Sequence, residues 1–370
     1  MTTIQDVPVF ERILQHLHQT RGFDFTAYTR SSLLRRVSKR MQAVHAPTFE
    51  AYLEYLQDHQ EEGAALFDTV VVHVTSFFRD PEVWQHFSER IAPDLIASAG
   101  DGGIRVWCAG CASGEEPYTV AMLLAERLGV DGVRRRVKIY ATDVDAAALT
   151  AARRAVYSAR AVADVPAPFL EKYFDRIGSR YAFDRHLRRA LIFEWHDLVR
   201  DAPVSNVDLL VCRNTLMYFT AAARAQMLSR FHQSMSPAGY LLLGRAEMLF
   251  SHAAAFVPAD LKHRIFRRVP GCHRHDRVPS LARRERDVMP SHASDHDITG
   301  LRALQVELHQ SKRELARAYE ELQSTIEALE TTNDTLQSTV EELETTNEAL
   351  VSQRFVGRAI PLRGPAADRR

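Results

Sequence analysis

From residue 9 to residue 90, apolar positions recur at spacings of three and four with almost no glycine, which predicts a run of helices. From about residue 104 the period changes. Short apolar runs, IRVWCA (104–109), VKIYATD (137–143), LIFEW (191–195), VDLLVCR (207–213), YLLLGR (240–245) and HRIFRRV (263–269), alternate with helical segments such as PYTVAMLLAERL and AAARAQMLSRFHQSM. Strand and helix in alternation predict an α/β layer with a mostly parallel sheet. Between the second and third runs, residues 157–190 are too irregular for one crossover helix, and RYAFDRHLRRALIFEW alternates like a small antiparallel insert.

Beyond the last strand, residues 271–299 are rich in His, Arg, Asp, Ser and Pro, the composition of a solvated linker. A 14-residue repeat follows, LQSTIEALETTNDT at 322 and LQSTVEELETTNEA at 336. Leucines at 301, 308, 315, 322, 329, 336, 343 and 350 fall every seven residues, opposite Gln305, Lys312, Tyr319, Ile326, Asn333, Val340 and Asn347. This pattern predicts a coiled coil over 300–352, and Asn333 and Asn347 in its seam favour a parallel homodimer. At 1.5 Å per residue the rod would be about 75 Å long. Residues 353–370 have no periodicity and are expected to be disordered.

Composition sharpens the division. Formal net charge is zero over 370 residues, yet residues 301–352 carry eleven acidic and four basic side chains, so the two parts meet different partners. With 46% hydrophobic residues the chain has enough apolar material for a sizeable core. No run approaches the roughly 18 apolar residues of a membrane span, and the start has no basic region followed by an apolar one. Direct membrane insertion is therefore not expected, and a cytoplasmic location is. Four cysteines, Cys108, Cys111, Cys212 and Cys272, are too few for a disulfide framework, which agrees with a reducing compartment.

The densest chemistry lies in VWCAGCASGEEPYTVAMLL (106–124), where a strand runs into a turn with Gly110 and Gly114 before Glu115, Glu116 and Pro117 open a helix. Glycines let backbone pass close to a ligand. Two carboxylates would repel a phosphate, so the turn suits a ligand presenting hydroxyls or positive charge. Asp143 ends the next strand, where a doubly wound nucleotide-binding fold grips a ribose, and this points to an adenosine-type ligand. Cys108 and Cys111 lack a second ligand pair at metal-binding spacing, so no metal is expected there.

Six segments in order, SSLLRRVSKRM (31–41), VTSFFRD (74–80), VWCAGCASGEEPY (106–118), ATDVD (141–145), VCRNTLMYF (211–219) and LLLGRAE (241–247), resemble the chemotaxis receptor methyltransferase (CheR) family. The resemblance covers about 20–270. It implies a Rossmann-like, S-adenosylmethionine-dependent methyltransferase domain over 91–270 with a small β insert at 157–190, preceded by an all-α N-terminal domain over 1–90. The coil with its LQSTxExLETTN repeats resembles the linker of larger CheB/CheR/PAS fusions.

Carried over by position, the resemblance implies that His73, Thr75 and Arg79 lie over the cofactor, Glu116 near its methionine or ribose side, and Asp143 on the ribose. Asp197 and Leu198 would surround the adenine, Arg213 and Asn214 close the site, and Tyr218 stand beside the reacting centre. Two departures stand out: His73 occupies a position where the family often has Asn, and GRAE stands where some members read Gly-His-Ser-Glu. The implied activity is protein-glutamate O-methyltransfer, with S-adenosylhomocysteine as product. A glutamate carboxylate at pH 7 is already deprotonated, so in-line displacement at the sulfonium methyl requires positioning and no general base. Arg79 is the candidate for orienting carboxylates through its planar fork, with Tyr218 as the wall of the transfer site.

On 31–41, Leu33, Leu34, Val37 and Met41 share one helical face, while Arg35, Arg36, Lys39 and Arg40 occupy the other. That basic face suits the acidic helical methylation region of a chemoreceptor. Nucleic acid is not expected, since the chain shows neither aromatic interleaving nor a basic excess. The same residues also fit a catalytically silent module that senses the cofactor or docks receptors while the coil relays a signal.

Overall fold

The computed structural model describes residues 6–71, 75–100, 102–247, 249 and 255–270. The linker, coil and tail expected over 271–370 lie outside the described residues, as does His73.

Four helices form the N-terminal layer: α1 (Asp6–Arg21), α2 (Arg30–Ala43), α3 (Phe49–Asp58) and α4 (Gln60–Val70). Leu33, Val37 and Met41 of α2 are buried at the three-and-four spacing of an amphipathic helix. Thr48 caps α3 by accepting from the Ala51 N–H at 3.2 Å. The helical period continues past residue 80 into α5 (Pro81–His86), a π-helical turn over Phe87–Ile91, and α6 (Ala92–Ala99). Their apolar side chains, including Val83, Trp84, Phe87 and Leu95, pack with the sheet.

The strands follow as β1 (Ile104–Ala109), β2 (Val137–Asp143), β3 (Val156–Ser158), β4 (Phe174–Ile177), β5 (Arg180–Phe183), β6 (Leu191–Trp195), β7 (Val207–Cys212), β8 (Met235–Leu243), β9 (Phe256–Asp260) and β10 (Ile265–Arg268). Among the described residues they form a seven-stranded sheet in the order β6-β2-β1-β7-β8-β10-β9 and a three-stranded one in the order β3-β5-β4. The first five strands of the large sheet run parallel, and β9 and β10 close it as an antiparallel hairpin. The small sheet is antiparallel throughout and sits in the chain where the insert was expected.

Intervening helices are α7 (Glu115–Arg136), broken at Gly129 where φ is 70°, α8 (Ala146–Arg154), α9 (Ala167–Tyr173) and α10 (Ala221–Ser234). Period-two alternation divides the sheet into two cores. Val106, Cys108, Leu209, Val211 and Leu242 face the core shared with α5 to α7 and the insert. Trp107, Ala109, Leu210, Cys212, Leu241 and Leu243 face the core shared with α1 to α4 and α10. The chain leaves β1 toward β2 and β6, then returns to place β7 on the other side of β1. That reversal opens a crevice at the carboxyl ends of β1 and β7, where an open α/β sheet takes its ligand.

Candidate active site

The turn after β1 is fixed before any ligand enters. The Gly110 and Cys111 N–H groups both donate to the Thr142 carbonyl, at 2.8 and 3.0 Å, tying the turn to the end of β2. Asp143 accepts from the Ala112 N–H at 2.8 Å through Oδ2 and from the Asp145 N–H at 3.0 Å through Oδ1. The expected ribose acid therefore also braces the glycine turn. Gly110 is required twice: its φ is 77°, and a Cβ there would lie 2.3 Å from Thr215 Oγ1. Gly110→Ala is expected to cost about 1–3 kcal/mol and to displace the turn. A second change, Thr215→Ala, should restore the steric part and not the backbone part. Thermal unfolding of the single and double variants reads both, and an unchanged Tm in the single variant would refute the role.

A cleft of about 600 Å³, counted with its open mouth, lies at the crevice and is lined by Gly110, Asp143, Asp197, Leu198, Asn214 and Tyr218 together with residues of the helical layer. Five expected site residues thus come together: Asp143, Asp197, Leu198, Asn214 and Tyr218. The helical layer supplies Tyr28, Val70 and Val71, and Val144, His196, Thr215 and Phe219 complete the wall. These seven were not among the expected site residues. Val144, Thr215 and Phe219 stand in segments that carry the family resemblance, and His196 stands beside Asp197 in WHDL. Tyr28 reaches the cleft because residues 27–29 pair with 218–220, the Thr29 N–H donating to the Tyr218 carbonyl at 2.9 Å and the Thr220 N–H to the Ala27 carbonyl at 2.8 Å.

The cleft is negative. Burial foremost, then the charges of Asp197 and Asp143, push the Tyr28 phenol far above its usual range. Asp197 accepts from the Val199 N–H at 2.8 Å, which fixes its carboxylate at the rim. Two lining atoms are buried without a hydrogen-bond partner, Asn214 Oδ1 and His196 Nδ1. His196 Nε2 lies 3.1 Å from the Ala202 carbonyl, which assigns the proton to Nε2 and leaves Nδ1 an acceptor. Two orphaned acceptors beside two acids ask for a ligand rich in N–H and O–H groups, as an adenosine is.

One residue before Asn214, Arg213 turns the other way. Its guanidinium, 2% exposed, meets Asp80 at 2.5 Å and Glu116 at 3.4 Å and lies 5.2 Å from the centre of the Trp84 ring. Arg245 joins the same Asp80 at 3.1 Å. Burial pushes the Glu116 carboxyl up to about 7, against the opposing charges of Arg213 and Arg79. Arg79 is presented by unusual backbone: Phe78 and Asp80 on either side have φ of 53° and 59°. Its carbonyl accepts from the Trp84 indole N–H at 2.9 Å. Thr75 is partly buried just ahead of this segment. Glu247, the acid of GRAE, accepts from the N–H groups of Asn214, Leu216 and Gly244 at 3.1, 2.7 and 2.7 Å, and so braces the loop after β7.

The basic face of α2 is corrected by the structure. Arg40 does not belong to it, because its guanidinium is bound by both carboxylate oxygens of buried Glu62, at 2.6 and 2.7 Å, with the Tyr52 hydroxyl on the same acid at 2.7 Å. A buried carboxylate from α4 claims it. Arg36 donates to the Thr69 carbonyl at 3.1 Å and lies 5.3 Å from the centre of the Tyr218 ring, so it reaches the mouth of the cleft. Arg35 and Lys39 remain exposed. Cys108, Cys111 and Cys212 are buried, and burial raises all three thiols well above their ordinary range.

Both parts of the chain match domains of a known family. Residues 8–71 match the all-alpha domain of CheR methyltransferase, and residues 73–265 match its SAM-binding domain. The chain is 36% identical over 256 residues to an uncharacterized 104.1 kDa protein of Rhodobacter capsulatus, covering 69% of this chain and 27% of that one, about a quarter of the relative's length. It is 29% identical over 249 residues to a chemotaxis protein methyltransferase of Listeria monocytogenes, covering 67% of this chain and 92% of that one. To chemotaxis protein methyltransferase 1 of Pseudomonas aeruginosa it is 30% identical over 247 residues, covering 65% of this chain and 90% of that one. Among the described residues no helix is long and apolar enough to cross a membrane. With both family domains matched in order and the cleft at the switch point of the sheet, the chain belongs to the CheR methyltransferase family.

Proposed function

We propose that this chain is a protein-glutamate O-methyltransferase that uses S-adenosylmethionine to esterify glutamate side chains of chemoreceptors. The observation that carries the reading is the cleft itself, where Asp143, Asp197 and the unpartnered acceptors of Asn214 and His196 converge beside Tyr218. Its chemistry fits an adenosine, with Asp143 toward ribose hydroxyls and Asp197, Leu198 and His196 around the base. When bound, S-adenosylmethionine supplies an electrophilic methyl group on a sulfonium. The chain's own task is positioning. Arg79 orients a carboxylate, Tyr218 walls the transfer site, and Arg36 over the Tyr218 ring joins the basic helix to that wall. Arg35, Arg36 and Lys39 then meet the acidic helix of a receptor, without Arg40. A parallel homodimer through 300–352 completes the proposal, and sedimentation equilibrium of the full chain should return twice its mass.

Incubation with methyl-labelled S-adenosylmethionine and receptor-containing membranes should leave alkali-labile methyl groups on glutamate. Cofactor binding without transfer would instead identify a silent module.

Glu116 makes the reading pH-dependent. Its native carboxyl holds a proton more tightly than the unfolded chain's, at about 7 against 4.5, so its contribution to stability is lost as pH rises through that window. Binding of a cationic ligand runs the opposite way, because only ionised Glu116 attracts it. Affinity for S-adenosylmethionine is expected to rise between pH 6 and pH 8, and Glu116→Gln to flatten that rise. Calorimetric titrations at several pH values check this, and equal slopes in both proteins would remove Glu116 from the site.

A further inference from the structure

We propose that His86, Asp260 and His263 form a binding site for a divalent metal ion of the zinc type. The three come from separate elements: His86 ends α5, Asp260 ends β9, and His263 lies in the turn leading to β10. Asp260 Oδ2 is 3.3 Å from His86 Nε2 and 3.1 Å from His263 Nδ1, and all three donor atoms lie within 4.8 Å of one another. Bonds of about 2.0–2.1 Å in a tetrahedron place neighbouring donors roughly 3.3–3.4 Å apart, close to both distances from Asp260 Oδ2.

His263 Nδ1 is buried and faces Asp260 Oδ2 at 3.1 Å, so the ring presents this nitrogen to the carboxylate. The two imidazoles are stacked at 24° with centroids 4.6 Å apart, which brings both rings to the same carboxylate oxygen. The other oxygen of Asp260 accepts from the His263 backbone N–H at 3.0 Å, which holds the carboxylate in place as outer partners hold metal ligands.

Two imidazoles and one carboxylate favour zinc, cobalt or nickel over magnesium or calcium. Side-chain exposures of 24%, 22% and 12% leave a way in from solvent and room for a fourth ligand. The neighbouring cations are committed elsewhere. Arg245 and Lys262 both face Glu82, at 3.6 and 3.8 Å, and Arg264 donates to the carbonyls of Leu261 and Arg245. A π-helical turn begins directly after His86, a feature that recurs at functional sites. Metal here staples the β9–β10 hairpin to the C-terminal end of α5, the helix whose N-cap, Asp80, holds Arg213.

The test uses the untagged full chain, stripped with chelator and titrated with zinc chloride, beside Asp260→Asn and His86→Gln. Other histidines along the chain make the difference between proteins the informative quantity. The wild type should bind one zinc equivalent that both variants lose or hold at least tenfold more weakly, and zinc should raise its Tm alone. Cobalt in place of zinc should give the wild type visible ligand-field bands that the variants lack, and far-UV circular dichroism confirms that each variant is folded. Should Asp260→Asn not fold, His86→Gln, at the partly exposed end of a helix, decides alone. Identical zinc stoichiometry and affinity in wild type and folded variants would overturn the site and leave a metal-free His–Asp cluster.

Discussion

Replacing Arg213 by Met is expected to destabilise the fold by about 3–5 kcal/mol, read from urea unfolding. The guanidinium is 2% exposed and serves Asp80 and Glu116 together. Met fills much of the volume, so the loss is electrostatic: two carboxylates remain in a space shaped around a cation. Glu116 can escape by taking a proton, since burial already holds its carboxyl near 7. Asp80 retains Arg245. The double variant Arg213→Met/Glu116→Gln should therefore recover part of the loss, and the recovered part measures their coupling. A loss below about 1 kcal/mol in the single variant would show that the ion pair is not supporting the loop after β7.

The strands were legible because their period is short and local. IRVWCA, VKIYATD and LIFEW match β1, β2 and β6 residue for residue. β9 escaped notice for a physical reason: of FVPAD only Phe256 is buried, and Pro258 stands in its middle, tolerable on an edge strand. The turn at 110–114 was legible as a place where backbone must bend tightly. The reason for Gly110 was not, since Thr215 approaches it from the far side of the sheet's switch point.

Arg40 shows the limit of a helical wheel. On α2 it stands with Arg35, Arg36 and Lys39, yet a wheel carries no record of Glu62 on α4. The cleft has the same limit. Asp143 announces itself through chemistry, and Asp197 and Asn214 are reached only through the family resemblance, whereas Tyr28 and Val70 line the same space because the helical layer docks there. Glu247 stood in a segment noted for its departure from the family, and only the backbone N–H groups it accepts show that it holds Asn214 and Leu216 in place.

Arg79→Ala is expected to lower methyl transfer about a hundredfold while moving the urea midpoint little, the loss in rate that a misplaced reactant brings. Phe78 and Asp80 both adopt left-handed conformations that cost of order 1–3 kcal/mol each, and strain of this kind persists where the surroundings enforce it. Here the Phe78 N–H donates to Thr119 Oγ1 at 3.3 Å, Trp84 holds the Arg79 carbonyl, and Asp80 is bound by Arg213. All of these contacts belong to the backbone or to neighbours, so truncating the Arg79 side chain leaves them intact. What is lost is a planar cation whose charge reaches Glu116, in the segment that the family resemblance sets over the cofactor. Arg79→Lys keeps the charge without the fork and should regain only a small part of the rate. If it restores full transfer, charge alone suffices; if Arg79→Ala loses stability in proportion to activity, the residue is structural and its place in the transfer site is refuted.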